Sequence, residues 1–131
     1  MALFNVPERR KRGFRLALSA TGLAVIVVVL GAFTRLSDAG LGCPDWPGCY
    51  GHVLWPDSTE EILIAEAKFP ETPVEADKTW PEMVHRYFAG TLGLFIVALA
   101  VLGWQQRETR GYPFRLPMFL LFLVVWQALF G

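Results

Sequence analysis

The chain has 131 residues, enough for one ordinary domain and too few for two. Apolar residues make up 53% and charged residues 18%, with a mean hydropathy of +0.38, the reverse of a disordered composition. Twelve basic and twelve acidic residues cancel, so no overall basicity points to nucleic acid, and two cysteines allow at most one bridge. The sequence carries no phosphate-cradling Gly-Lys motif and no nucleophile elbow.

The placement of charge separates a soluble core from a membrane protein. Leu16 to Thr34 is free of charge, and Tyr87 to Gln106 is a second such run, bounded by Arg86 and Arg107. A third begins at Leu116 and continues to Gly131. About 20 such residues, rising ~1.5 Å each, cross the ~30 Å hydrocarbon layer. A soluble core helix would show polar residues every third or fourth position, and these runs do not. The reading is an all-α integral membrane chain with three transmembrane helices, about 16–34, 87–106 and 116–131. A long loop, 35–86, joins the first two. The first run follows a basic segment, as a signal peptide does. It exceeds the usual apolar region and lacks a small-x-small cleavage site, so a retained helix is expected.

Charge also orients the chain. Residues 1–15 carry five basic residues against Glu8, net +4; residues 35–86 carry four against ten acids, net −6; residues 107–115 carry three against Glu108, net +2. Basic short segments stay in the cytoplasm. The N-terminus and the 107–115 turn are therefore expected inside, and the acidic loop outside.

That loop is far longer than a connector needs. Its stretch from Ser37 to Gly51 is dense in Gly and Pro, hence turns, with tryptophan suited to the membrane interface. Thr59 to Lys68 reads as a short helix with Ile62, Ala65 and Phe69 on one face, ended by Pro70 and Pro73. Cys43 and Cys49 have five residues between them on the oxidising side. A structural staple and a redox-active pair both fit that spacing. Zinc does not, since His52 is the one further ligand nearby.

Trp80-Pro81-Glu82-Met83-Val84-His85-Arg86 opens the next helix in this reading. Glu82 and His85, three apart, share a helix face, and an ionisable residue at the edge of a span is a functional candidate. Ala89 and Gly93 follow His85 at i+4 and i+8, leaving a shallow trough suited to a planar macrocycle held by an axial histidine, with haem propionates near Arg86 or Arg35. Plainer readings use the same residues. Thr79 with Glu82 fits a capping box, Ala89 with Gly93 is an ordinary helix-packing pair, and His85 can snorkel to the interface.

The run Gly31-Ala32-Phe33-Thr34-Arg35-Leu36-Ser37-Asp38-Ala39-Gly40-Leu41-Gly42-Cys43-Pro44-Asp45-Trp46-Pro47-Gly48-Cys49, with Glu-x-x-His-Arg at Glu82 to Arg86, resembles the first-helix exit and loop of haem A synthase, the cytochrome oxidase assembly enzyme. The resemblance covers essentially the whole chain but less than half of such an enzyme. It implies eight transmembrane helices in two four-helix halves, each with a pair of haem-ligating histidines on its second and fourth helices. The reaction implied is oxidation of the C8 methyl group of haem O to a formyl, giving haem A, with oxygen from water. By matching motif, His85 would be an axial ligand of the haem O iron in this half. Glu82 would be catalytic beside the reacting methyl, where a carboxylate favours developing positive charge. Arg35 and Arg86 remain the candidate cofactor-binding cations, and Cys43 and Cys49 match a loop pair that forms a disulfide. Haem b would sit in the C-terminal half.

The chain departs from the pattern in lacking a fourth helix with its histidine. The expectation is a partial N-terminal half that does not turn over alone, in a bacterial plasma membrane. Its expected partners are membrane lipid, haem O-producing proteins and cytochrome oxidase assembly proteins; a homo-oligomer is compatible with it, and nucleic acid is not expected. Two rival functions are a membrane thiol-disulfide carrier passing electrons to a quinone, and a non-catalytic membrane assembly subunit.

Overall fold

The computed structural model describes residues 6–130, and the described chain forms four helices: α1 (Val6–Leu36), α2 (Thr59–Lys68), α3 (Ala76–Gln105) and α4 (Arg115–Phe130). Gly131, the last residue of the expected third span, lies outside the described residues.

Helix α1 starts ten residues before the charge-free run, so the basic segment is itself helical. Lys11 pairs with Glu8 one turn away at 3.0 Å. The apolar part exposes Leu18, Val25, Val28, Val29 and Phe33. Side chains of that kind facing outward along a whole helix suit lipid rather than water. Helix α3 begins eleven residues before the expected 87, because Pro81 does not open it. Pro81 lies inside the helix, at the sixth position. Its missing N–H orphans the carbonyl of Asp77, an exposed residue in the first turn. Helices α1 and α3 are long and apolar enough to cross a membrane. Helix α4, at 16 residues, is about 24 Å long and falls short of that length.

The expected 35–86 loop is thus shortened to residues 37–75, with α2 inside it at the expected bounds. Ser58 caps α2: its side chain accepts from the Glu61 N–H, and the Glu61 carboxylate accepts from the Ser58 N–H, a full capping box. Backbone donors of Asp57 and Ser58 hold the Glu61 carboxyl below its ordinary range.

The chain divides into two compact units, residues 26–89 and the remainder. The 26–89 unit has a small core of Cys43, Cys49, Tyr50, Ala65 and Met83, flanked by Trp55, Phe69 and Val74. Ala65 and Phe69 are the α2 face expected from spacing. Tyr50 meets Phe69 edge-on at 5.6 Å and donates to the Pro73 carbonyl at 3.1 Å. Burial pushes the Tyr50 hydroxyl pKa up. In the other unit α3 and α4 pack through small residues. A Cβ on Gly103 would meet the Phe114 backbone at 3.3 Å, and one on Gly93 would touch Val124 at 3.9 Å. Gly93 therefore serves helix packing, and the expected trough does not continue open at that position.

Candidate functional site

The candidate residues gather within the 26–89 unit where α1 ends, the cysteine loop turns and α3 begins. Cys43 and Cys49 form a disulfide. Both are buried, and Cys49 is fully so. Thiol exchange requires an attacking thiolate to reach a sulfur, which this burial opposes. The loop around the bridge is tightly specified. Asp45 accepts the N–H groups of Tyr50 and Gly51 with its two carboxylate oxygens. Those donors sit on a turn in which both residues have positive φ, 53° and 78°. Cys49 and His52 exchange backbone hydrogen bonds at 3.0 Å each way, and a Cβ on Gly48 would strike the His52 carbonyl oxygen. His52 otherwise stands 4.0 Å from Glu61. Closing so short a loop contributes about 2–2.5 kcal/mol. Cys43→Ser is accordingly expected to lower unfolding stability by about that amount. Thermal unfolding of the variant beside the wild type checks this, and an unchanged midpoint would show that the bridge does not staple the loop.

Glu82 does not cap α3. Thr79 is already helical and donates to the Ala76 carbonyl at 3.1 Å, so the expected capping box is absent. Glu82 is instead buried, at 7% exposure, under the cysteine loop. One carboxylate oxygen accepts the Cys43 N–H at 3.0 Å; the other is paired with the Arg86 guanidinium one turn below. Arg86 reaches on to the loop carbonyls of Asp45 and Gly48 at 2.8 and 2.7 Å. The two charged side chains together tie three loop backbone groups to α3. The Arg86 nitrogens are engaged by the loop rather than presented to a propionate. Arg35 is exposed on the last turn of α1, and no contact joins the two arginines among the described residues.

His85 faces the other way. A Cβ on Gly31 would come within 2.9 Å of its Cε1 and 3.4 Å of Nε2, so the ring lies directly against the backbone of α1. His85 is half-buried, and its Nδ1 is buried without a hydrogen-bond partner. One turn along α1, Thr34 donates to the Leu30 carbonyl at 2.8 Å and approaches the Pro81 carbonyl at 3.3 Å, linking the two helices above the ring. Phe33 and Trp80 stack at 5.8 Å beside that contact. The ring is thus seated, not snorkelling.

Among the described residues no three His, Cys, Asp or Glu side chains converge. A bare ion held only by side chains finds no cage in them. A haem brings four equatorial nitrogens of its own and asks the protein for an axial imidazole, and a seated imidazole with an orphaned nitrogen fits that request. Sequence reasoning missed the seat, Gly31, although the glycine stands at the head of the resembling motif. It also missed the Ser58–Glu61 box, which is readable as S-x-x-E.

Known proteins are similar to this sequence. A family model described as cytochrome oxidase assembly protein matches residues 14–131. A protein named Heme A synthase from Shewanella oneidensis is 46% identical over 107 residues, which are 82% of this chain and 32% of that protein. Another Heme A synthase, from Bacillus licheniformis, is 30% identical over 121 residues, 88% of this chain and 33% of its own length. A protein named Protoheme IX farnesyltransferase 1 from Natronomonas pharaonis is 33% identical over 102 residues, 77% of this chain and 18% of that protein. No solved structure matches. The chain spans about a third of the length of the heme A synthases it matches. With nearly every residue after the basic segment matched, the chain belongs to the cytochrome oxidase assembly protein family.

Proposed function

We propose that this chain provides the substrate-haem half of a haem A synthase, in which haem O is held and its C8 methyl group is oxidised to a formyl. The observation that carries this is His85: a seated imidazole with an unpartnered buried nitrogen, in a chain that aligns with proteins named Heme A synthase. The conversion adds one oxygen from water and removes four electrons and four protons. In this reading a haem b held elsewhere in the enzyme would supply the electron relay, and His85 is the residue of this chain that would hold the substrate haem. His85 binds the iron of haem O. Arg35, exposed at the α1 exit, is the cation for a propionate. Glu82 and Arg86 act in this reading as positioning residues, because both Glu82 oxygens are taken by the Cys43 N–H and the Arg86 guanidinium and hold the loop to α3.

The membrane arrangement belongs to the same proposal. In it α1 and α3 span a bacterial plasma membrane, α4 enters it as part of a third span, and the excess of basic residues supports a cytoplasmic N-terminus and 107–115 turn. The farnesyltransferase match supports a place beside haem O-producing enzymes, because a chain of that name carries a segment like this one.

The test is an optical spectrum and a haem extract of the detergent-purified full-length parent enzyme carrying this segment, from cells making haem O, wild type beside His85→Ala. The expected result is diminished low-spin haem bands and loss of haem A in the variant. Unchanged bands with unchanged product would overturn the assignment. Retained haem with lost product would move His85 from binding to chemistry.

A further inference from the structure

A second feature lies wholly in the unit formed by residues 6–25 and 90–130. Between α3 and α4 runs an apolar groove of about 290 Å³, lined by Ala100, Val101, Trp104, Gln105, Met118 and Leu121. At that end of the two helices the chain turns through a basic segment. The Arg107 guanidinium lies 4.7 Å over the Trp104 ring, so a cation stands on a wall of the groove itself. Arg107 also donates to the Trp104 carbonyl at 3.1 Å and stands 3.5 Å from Glu108. Glu108 is 88% exposed, so that pairing is weak and leaves the cation open to a stronger anion. Arg110 is exposed two residues beyond, and Arg115 lies over Phe114.

The first turns of α1 add to the same end. A Cβ on Gly13 would meet the Tyr112 hydroxyl at 2.7 Å, so the basic segment around Gly13 lies against the turn. Opposing it among the described residues of this end are Glu8, already paired with Lys11, and Glu108.

An apolar channel whose rim is cationic has the chemistry of a phospholipid, with its tail in the groove and its phosphate on the arginines. A protein helix laid in the groove would satisfy the apolar wall and leave the guanidinium cluster without an anion. We propose that this end of the chain binds an anionic diacyl phospholipid, one acyl chain between α3 and α4 and the headgroup phosphate on Arg107 and Arg110.

The test uses the protein reconstituted in phosphatidylcholine vesicles and titrated with bromo-acyl phosphatidylglycerol or bromo-acyl phosphatidylcholine. Trp104 fluorescence is obtained by difference from Trp104→Phe. The expected result is half-quenching at a severalfold lower fraction of the glycerol lipid. Each of Arg107→Gln and Arg110→Gln should reduce that preference by about fivefold, while Arg107→Lys keeps most of it. Val101→Phe, which fills the groove and leaves the charges, should reduce quenching by both lipids. Equal quenching by the two lipids would overturn the proposal in favour of non-selective boundary lipid. A Trp104 that neither lipid quenches would overturn it in favour of a covering protein segment. The readout does not involve haem, so its failure leaves the assignment of His85 untouched.

Discussion

Arg86→Ala is expected to loosen the cysteine loop more than any other single substitution at this site. The change leaves the Glu82 carboxylate buried without its cation and removes the donors of the Asp45 and Gly48 carbonyls. Breaking a buried ion pair from one side costs about 3–5 kcal/mol. The measurement is thermal unfolding in detergent, with limited proteolysis between residues 37 and 58 as the local readout. The double variant Glu82→Leu with Arg86→Met replaces the pair by apolar side chains. It should be milder than Arg86→Ala alone, because no unpaired charge remains; both variants lose the donors to the Asp45 and Gly48 carbonyls, and the double variant adds only an unpaired Cys43 N–H, about 1–3 kcal/mol. A double variant as unstable as the sum of its parts would show that the two side chains act independently. An Arg86→Ala protein with wild-type stability and an intact loop would refute the clamp outright.

Gly31→Leu is expected to abolish haem retention nearly as fully as His85→Ala, although it removes no ligand atom. The added side chain needs the space in which the imidazole lies, 2.9 Å from Cε1 at the first carbon alone. The ring must swing off α1 and leave the position from which it would hold haem iron in the proposed reading. Gly22→Leu is the control, since nothing lies within 4 Å of a Cβ there. Both variants add the same apolar bulk to the same helix. Haem content per protein, by absorbance, distinguishes them: near zero for Gly31→Leu and near wild type for Gly22→Leu. Equal haem in the two would mean that the seat of His85 on α1 is incidental to ligand binding.

The existence of each helix is legible in the amino-acid sequence alone, because it depends on local composition. Charge-free runs name the apolar parts of α1, α3 and α4, and the T-E-E-I-L-I-A-E-A-K segment marks α2 to the residue. The helix starts are less legible. Amphipathic or charged turns such as residues 6–15 and 76–86 extend a membrane helix beyond its apolar core, and hydropathy does not register them. Pro81 imitates an N-terminal signal because a proline near a helix start is tolerated at more than one position once its orphaned carbonyl can reach solvent.

At the site, the sequence by itself determined which residue types were present and that Glu82, His85 and Arg86 fall within one turn of one helix. It left open what each of them faces, since i, i+3 and i+4 neighbours share a side of the helix yet diverge when different elements pack against that side. Only the tertiary structure decided that Glu82 and Arg86 turn to the cysteine loop and that His85 turns to Gly31. The physical reason is separation along the chain. The partners of those side chains lie 38 to 54 residues away in sequence, so their meeting depends on how the loop folds back through its own core of Cys43, Cys49 and Tyr50. Spacing along a single helix carries no record of that return.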